Sequence, residues 1–426
     1  MSKPVEMPRT AHEVVMRMFP FMDQMAAEDA EYIRKTNPDT KTVSMREPPE
    51  GLPHGLQGVF DAYISWNARR QAESRGLMPD EAERQYRAYM AAAGAEAEVL
   101  ARSLQMEYAC SLNFRLNGEK VFFVADALTE RLAHTEANLR CAFLHLPFPS
   151  FQMVYTSKLA IDLYYNHIGT DGRRVGDRKD IDYKAPITVF VTRLPADNEA
   201  PSSLLLTTFH AREISGRDPA MHAASSRQLN IDPDWDIEAA IRTDWKKIDA
   251  AQGIEEPRGQ EAGNSTALPD AQFYQEGFAF YRMVMNTILY LTSTRADREE
   301  LPASSQQMRD AAGSQTSSKH RKRLERGARF ASDAPFEYLG RSVQPIDFGS
   351  GTAVEKSATR GAGSKIGRRF LVRGHWKSQA YGAGRKERKT IYIEPYAKGP
   401  EISDLVNRPY LVRKDGRKII GDEDID

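Results

Sequence analysis

Four short runs decide the fold class: Phe122-Phe123-Val124, Phe151-Gln152-Met153-Val154-Tyr155, Ile187 to Thr192 (ITVFVT) and Leu204 to Phe209 (LLLTTF). Each is short and rich in β-branched or aromatic residues, and polar segments lie between them, which is how strands read. Ile161-Asp162-Leu163-Tyr164-Tyr165 reads as a further strand, separated from Ile187 by the polar loop Gly169 to Lys179. Residues 111–293 are therefore expected to hold a sheet. On the N-terminal side the period changes to that of helices. Val14, Val15, Met18 and Phe19 form one apolar face, with Pro20 ending or kinking the segment. Leu56, Val59, Phe60, Tyr63 and Ile64 stripe a second helix, Leu56 to Glu73. A third begins at Pro79-Asp80-Glu81 and runs through Tyr86, Tyr89 and Met90 to Met106. On the C-terminal side Arg212 to Ala267 turns polar, with Trp235 and Trp245 as scattered anchors. Ala271 to Thr292 then predicts a strong helix, its apolar positions Phe273, Phe280, Tyr281, Val284, Ile288 and Leu291. These stripes are core positions and carry no chemistry.

The sequence from Thr294 to Gly367 has linker composition, low in apolar residues around Ser304-Ser305-Gln306-Gln307, Ser314 to Ser318 and Gly349 to Gly367. Within it lie a basic cluster, Lys319-His320-Arg321-Lys322-Arg323, and an ordered-looking patch, Phe336-Glu337-Tyr338-Leu339. The formal net charge of the 426 residues is zero, but from Lys319 to Lys398 nineteen Lys/Arg stand against seven Asp/Glu. The remainder is correspondingly acidic, so a basic binding module on an acidic body is expected.

The densest part of that module is Arg368 to Pro400, RRFLVRGHWKSQAYGAGRKERKTIYIEPYAKGP. Two β-compatible runs flank Gly382-Ala383-Gly384, which predicts a hairpin. Alternation places Phe370, Val372, Trp376 and Ala380 on one face of the first run, and Arg373, His375, Lys377, Gln379 and Tyr381 on the other. In the second run Ile391 and Ile393 share a face, opposite Thr390, Tyr392 and Glu394. One side is then expected to pack on a core while the other presents cations, an imidazole and phenols. Arg369, Arg373, His375, Trp376, Lys377, Tyr381, Arg385, Lys386, Arg388 and Lys389 are the candidate RNA- or polyanion-binding residues, joined by Lys319, Arg321, Lys322 and Arg323. Cations neutralise phosphates, and aromatic rings stack on unpaired bases. Docking on an acidic protein surface, or a purely structural role with Trp376 in the core, would use the same residues.

A catalytic use is a further alternative. A metal-independent ribonuclease needs an acid/base group and nearby cations. His375 between Arg373 and Lys377 would supply both, with Glu394 or Tyr381 as the second proton-transfer group. Elsewhere, His145 reads as a packed histidine before a turn, and His210 with Glu213 and Asp218 lacks a metal-ligand pattern. No phosphate-loop, HExxH or nucleophile-elbow motif occurs, and no metal or cofactor is expected. The two cysteines, Cys110 and Cys141, read as buried thiols of a reducing compartment. The polar start, and the lack of any apolar run of ~20 residues, lead to the expectation of a soluble cytoplasmic protein without membrane contact.

The motifs of the hairpin resemble a known family. Arg373-Gly374-His375-Trp376, Tyr381-Gly382-Ala383-Gly384, the basic Arg385 to Lys389 and Ile393-Glu394-Pro395 are similar to the C-terminal signature of the second type V-A anti-CRISPR inhibitor family. Here Arg373 directly precedes Gly374, and one residue separates Ile393 from Pro395. Phe143-Leu144-His145-Leu146-Pro147 resembles the family's Leu-x-Leu-Pro element, and Ile288 to Leu291 followed by Phe336-x-Tyr338 its penultimate helix and linker. The resemblance implies a phage or plasmid protein that lowers expression of a target, a type V-A CRISPR effector nuclease. It would do so by contacting RNA or the ribosome–nascent chain complex in the cytoplasm of the bacterial host. A binding adaptor is expected rather than an enzyme, with a metal-independent ribonuclease and a phage structural or protein-docking component as the alternatives. The fold expected is α+β. Its parts would be a helical region (1–110), a core with a mixed sheet and a long helix (111–293), a basic linker (294–367), a basic aromatic β-hairpin module (368–412) and an acidic tail (413–426).

Overall fold

Phe122 and Val124 belong to one hydrophobic core and Val121 and Phe123 to another, so this strand is buried on both faces. A sheet built on such a strand has to be covered on both sides, and that requirement organises the fold. The computed structural model describes residues 10, 13–14, 16, 19–44, 49–168, 183, 185–196, 202–211, 222–251, 268–328, 335–346 and 370–398. Strands β1 (Val121–Val124), β2 (Ser150–Tyr155), β3 (Ile187–Leu194), β4 (Ser203–Ala211), β5 (His222–Asn230), β6 (Arg298–Leu301) and β7 (Phe336–Leu339) form one sheet, ordered β5-β4-β3-β2-β1-β7-β6. β1 is parallel to β2 and β7, and every other pair is antiparallel.

One face carries the N-terminal helices α1 (Pro20–Thr36), α2 (Gly55–Arg75), α3 (Pro79–Ala93) and α4 (Ala95–Leu116). Met22, Ile33, Val59, Leu104 and Tyr108 from α1, α2 and α4 meet Phe123, Val154, Phe190 and Phe209 of the sheet. Helix α3 packs on α2 through Ala82, Tyr86 and Met90. Asp29 ties three of these helices together. Buried on α1, it accepts from the backbone N–H groups of His54 and Gly55 at the start of α2 and from the Tyr108 hydroxyl on α4. The other face carries α5 (Asp126–Ala133), α6 (Lys158–Ile168), α7 (Ile237–Ala251) and the long α8 (Leu268–Leu291), the helix expected at Ala271 to Thr292. Leu128, Ile161, Tyr164, Phe280, Met283 and Ile288 there cover Phe122, Met153, Val189 and Leu206. The architecture is α+β, with a mixed sheet between two helical layers. No described helix is long and apolar enough to cross a membrane.

The break at Pro20 is where it was expected: Glu13, Val14 and Met16 are helical, Phe19 is not, and Pro20 opens α1 at its first turn, where its missing N–H costs nothing. Three expectations need correction. The third predicted helix is two, α3 and α4, because Gly94 between them adopts φ +53, outside the helical region. Ile161 to Tyr165 is not a strand but the middle of α6: Ile161 and Tyr164 are buried one turn apart, and Lys158 pairs with Asp162 at i,i+4. The stretch after Thr294, expected as linker, contains β6, α9 (Ser304–Gly313), α10 (Ser318–Ala328) and β7. β6 is an edge strand with alternate residues exposed, so it needs few apolar side chains.

Four further strands follow: β8 (Phe370–Val372), β9 (His375–Tyr381), β10 (Glu387–Ile393) and β11 (Tyr396–Lys398). β9 pairs with β10 and β8 with β11, both antiparallel, so the segment is a hairpin built of two successive ladders.

Candidate functional site

The hairpin turns where its glycines predict. Gly382, Gly384 and Arg385 adopt φ +77, +66 and +56, and the Arg385 N–H donates to the Gly382 carbonyl at 3.2 Å. The first run is not one strand, however. Between the ladders Arg373 and Gly374 face Glu394 and Pro395 across an unpaired waist, and there the hairpin is fastened to the body.

Gly374 bridges Thr135 in the loop after α5. Its N–H donates to the His134 carbonyl at 3.0 Å, and its carbonyl accepts from the Glu136 N–H at 2.9 Å. A Cβ at this position would stand 2.4 Å from Thr135 Oγ1 and 3.0 Å from the Ile393 carbonyl, so only glycine allows the approach. Trp376 is buried. Its indole Nε1 donates to Asn286 Oδ1 on α8 at 2.8 Å, and Asn286 Nδ2 donates onward to the Leu132 and Thr135 carbonyls. Tyr392 lies against the indole at 4.9 Å between ring centroids, meets the Tyr290 ring edge-on, and bonds Thr135 Oγ1 at 3.2 Å. Burial pushes the Tyr392 phenol above its ordinary range. Arg131 of α5 grips Glu394 and donates to the Gln344 carbonyl.

Register decides what remains exposed. Tyr392 is opposite Trp376, Ile391 opposite Lys377 and Ile393 opposite His375, and directly opposed residues share a face. The two phenols therefore do not share the cationic side. Tyr392 joins Trp376 against the body, while the isoleucines line up with His375 and Lys377. Trp376, counted among the binding residues, is taken up by the core. Towards the turn the chain is open. Tyr381, Arg385, Lys386 and Arg388 are exposed, and Lys389 sits 5.5 Å from the Tyr381 ring. A hydrogen bond to Glu387 raises the Tyr381 phenol above its usual value. Arg373, at the waist, points to Glu136 at 3.9 Å. Glu394, weighed as a proton-transfer partner of His375, is engaged by Arg131.

Lys319, Arg321, Lys322 and Arg323 are exposed on α10, which packs on α9, so the basic residues form two patches on separate elements. Arg369, Glu213 and Asp218 lie outside the described residues. His145 is exposed rather than packed. His210 is buried, with Tyr165 OH 2.5 Å from Nδ1 and the Ala185 carbonyl 3.2 Å from Nε2. Among the described residues no His/Cys/Asp/Glu group could hold a metal. Cys110 and Cys141 are buried free thiols, which burial pushes up to about 12 and about 11. Sequence reasoning missed Arg131, Thr135 and Asn286. Of these only Asn286 left a sign, as an amide inside the apolar run Phe280 to Leu291, where a buried polar group demands partners.

No curated protein matches the chain. The crystal structure of AcrVA2 aligns with 90% of this chain and 98% of its own, at 10% identity and a TM-score of 0.38. The model of the AcrVA2-like family, described as the anti-CRISPR type V subtype A2 family, matches residues 122–399. That span runs from β1 through β11 and takes in the whole sheet and the docked hairpin. The chain belongs to the anti-CRISPR type V subtype A2 family.

Proposed function

We propose that this protein lowers the amount of a type V-A CRISPR effector nuclease by contacting its nascent chain or messenger RNA on the ribosome, as a binding adaptor of a mobile element in the host cytoplasm. The observation that carries the reading is the exposed cationic end of a hairpin whose waist is fixed to the body. Arg385, Lys386, Arg388 and Lys389 are presented on a rigid lever, so phosphates are met without first ordering a loop. The basic helix α10 is a second contact with the same chemistry. The N-terminal helices, which precede the family match at residue 122, select the protein target.

The test combines a cellular and a binding measurement. Replacing Arg385, Lys386, Arg388 and Lys389 by Gln should restore effector nuclease protein and transcript in cells expressing the variant. In vitro it should flatten the salt dependence of RNA binding by roughly 0.7 per lost phosphate contact on single strands. Unchanged nuclease levels and an unchanged salt slope would overturn the reading. So would RNA cleavage by the purified protein that His375→Ala abolishes while binding persists.

A further inference from the structure

One turn of α8 before Asn286, the same helix face carries Arg282, and one turn earlier Phe278. Arg282 is half-buried, its Nε is sealed from solvent, and it makes no hydrogen bond or ion pair to any described residue. Its one directional contact among the described residues is the Phe278 ring, 5.7 Å from the guanidinium carbon, and Arg242 of α7 lies 5.2 Å from the same ring. A guanidinium stays charged at any working pH, and a buried cation without an acceptor is costly. Burial accordingly pushes the Arg282 pKa down, opposed most by Glu238.

Nearby carboxylates do not close the account. Glu238 Oε1 accepts from the Ala137 N–H at 3.3 Å, and Oε2 from Arg242 at 2.9 Å. Glu136 leans to Arg373 at 3.9 Å. Arg373, at the hairpin waist, and Arg242 both add positive potential at Arg282. His134, half-buried beside them, is held below its ordinary pKa by burial and then by Arg373 and Arg282, and so stands there as a neutral donor and acceptor. Among the described residues, three guanidiniums thus face two carboxylates and a neutral imidazole, which leaves one positive charge uncompensated beside an aromatic ring.

We infer that the half-buried Arg282 guanidinium, between α7, α8 and the hairpin waist, is a recognition site for a single carboxylate. A monoanion matches the residual charge. With Nε sealed, a planar carboxylate can meet the two terminal NH2 groups of the guanidinium in a two-pronged contact. A phosphodiester has the same charge but brings two bulky substituents past Glu136 and Glu238, which repel it. The carboxylate can belong to an acidic side chain of a bound polypeptide or to a free small acid. The site is independent of the exposed hairpin end.

The test uses the full chain and three probes: acetate, N-acetylglutamate α-amide and dimethyl phosphate, each followed by calorimetry and by thermal unfolding. The glutamate amide is expected to bind saturably and raise Tm, as any ligand of the folded state does. Arg282→Gln should weaken it about tenfold or more, and Arg385→Gln should leave it unchanged. Acetate binding as tightly as the amide assigns the site to free acids, whereas clearly weaker acetate assigns it to polypeptide side chains. Both support a carboxylate. Dimethyl phosphate binding as well as the amide, or no saturable binding by either carboxylate, overturns the inference. Arg282→Met provides a second check, because removing an unpartnered buried cation should leave the ligand-free protein as stable or more stable. A large loss of Tm in Arg282→Met would mean that Arg282 is already satisfied, and would sink the proposal.

Discussion

The waist and the turn of the C-terminal hairpin lie a few residues apart on the same two strands, yet their residues are used in opposite ways. At the waist, Gly374, Trp376, Tyr392 and Glu394 each meet a named partner on the body: Thr135, Asn286, Tyr290 and Arg131. At the turn, Arg385, Lys386 and Arg388 are open to solvent. The lesson is that a motif rich in Arg, Trp, Tyr and Gly is not one surface. Its aromatic and glycine positions fix the lever, and its cations are what the lever presents.

Trp376→Ala should separate the two regions most strongly. It empties a buried aromatic site and leaves Asn286 Oδ1 without its donor, a loss of about 3–5 kcal/mol by denaturant unfolding. If the hairpin were only lightly attached, the loss would fall within the surface range of ±0.5 kcal/mol. Gly374→Ala comes next. Its Cβ collides with Thr135 Oγ1 and the Ile393 carbonyl, and about 1–3 kcal/mol is expected. Thr135→Ala in the same chain should recover part of that loss, and strict additivity of the two changes would argue against the collision.

Arg131 and Glu394 should show a smaller coupling, about 0.5–1 kcal/mol in a double-mutant cycle, since Glu394 is more than half exposed. His134 gives the waist a pH dependence. Its pKa is depressed in the fold, so the unfolded chain binds the extra proton, and stability falls as pH drops through the ordinary histidine value of 6.5. His134→Gln should flatten the unfolding free energy between pH 7 and pH 5. A slope unchanged by that substitution would place the titrating group elsewhere.

Much of this was legible in the sequence, and the failures have definite causes. The strands β1 to β4 and the helix α8 announced themselves through apolar runs of the right length. Ile161 to Tyr165 misled because a five-residue apolar run fits a strand or a buried helix turn equally, and only the α6 packing decides. β5, with the sequence HAASSRQLN, has little strand propensity and is held by its pairing with β4. The hairpin was readable as a hairpin, but not its register or its waist. A one-residue shift moves Tyr392 between faces. The partners that set it, Thr135 and Asn286, are about 240 and 90 residues away in sequence, as their pairing with Gly374 and Trp376 requires.

The smallest effect on stability should come from the turn itself. The side chains of Arg385, Lys386 and Arg388 are exposed and make no hydrogen bond or ion pair to any described residue. Replacing them with Gln removes no packing, so the unfolding free energy should stay within about 0.5 kcal/mol of the parent. Any binding that depends on them should weaken, and weaken most at low salt, where phosphate contacts contribute most. The contrast with Trp376→Ala is then complete: one change loosens the lever and leaves its charges, and the other removes the charges and leaves the lever. Should the turn variant lose stability instead, these cations would be anchoring the hairpin, and the division between waist and turn would fail.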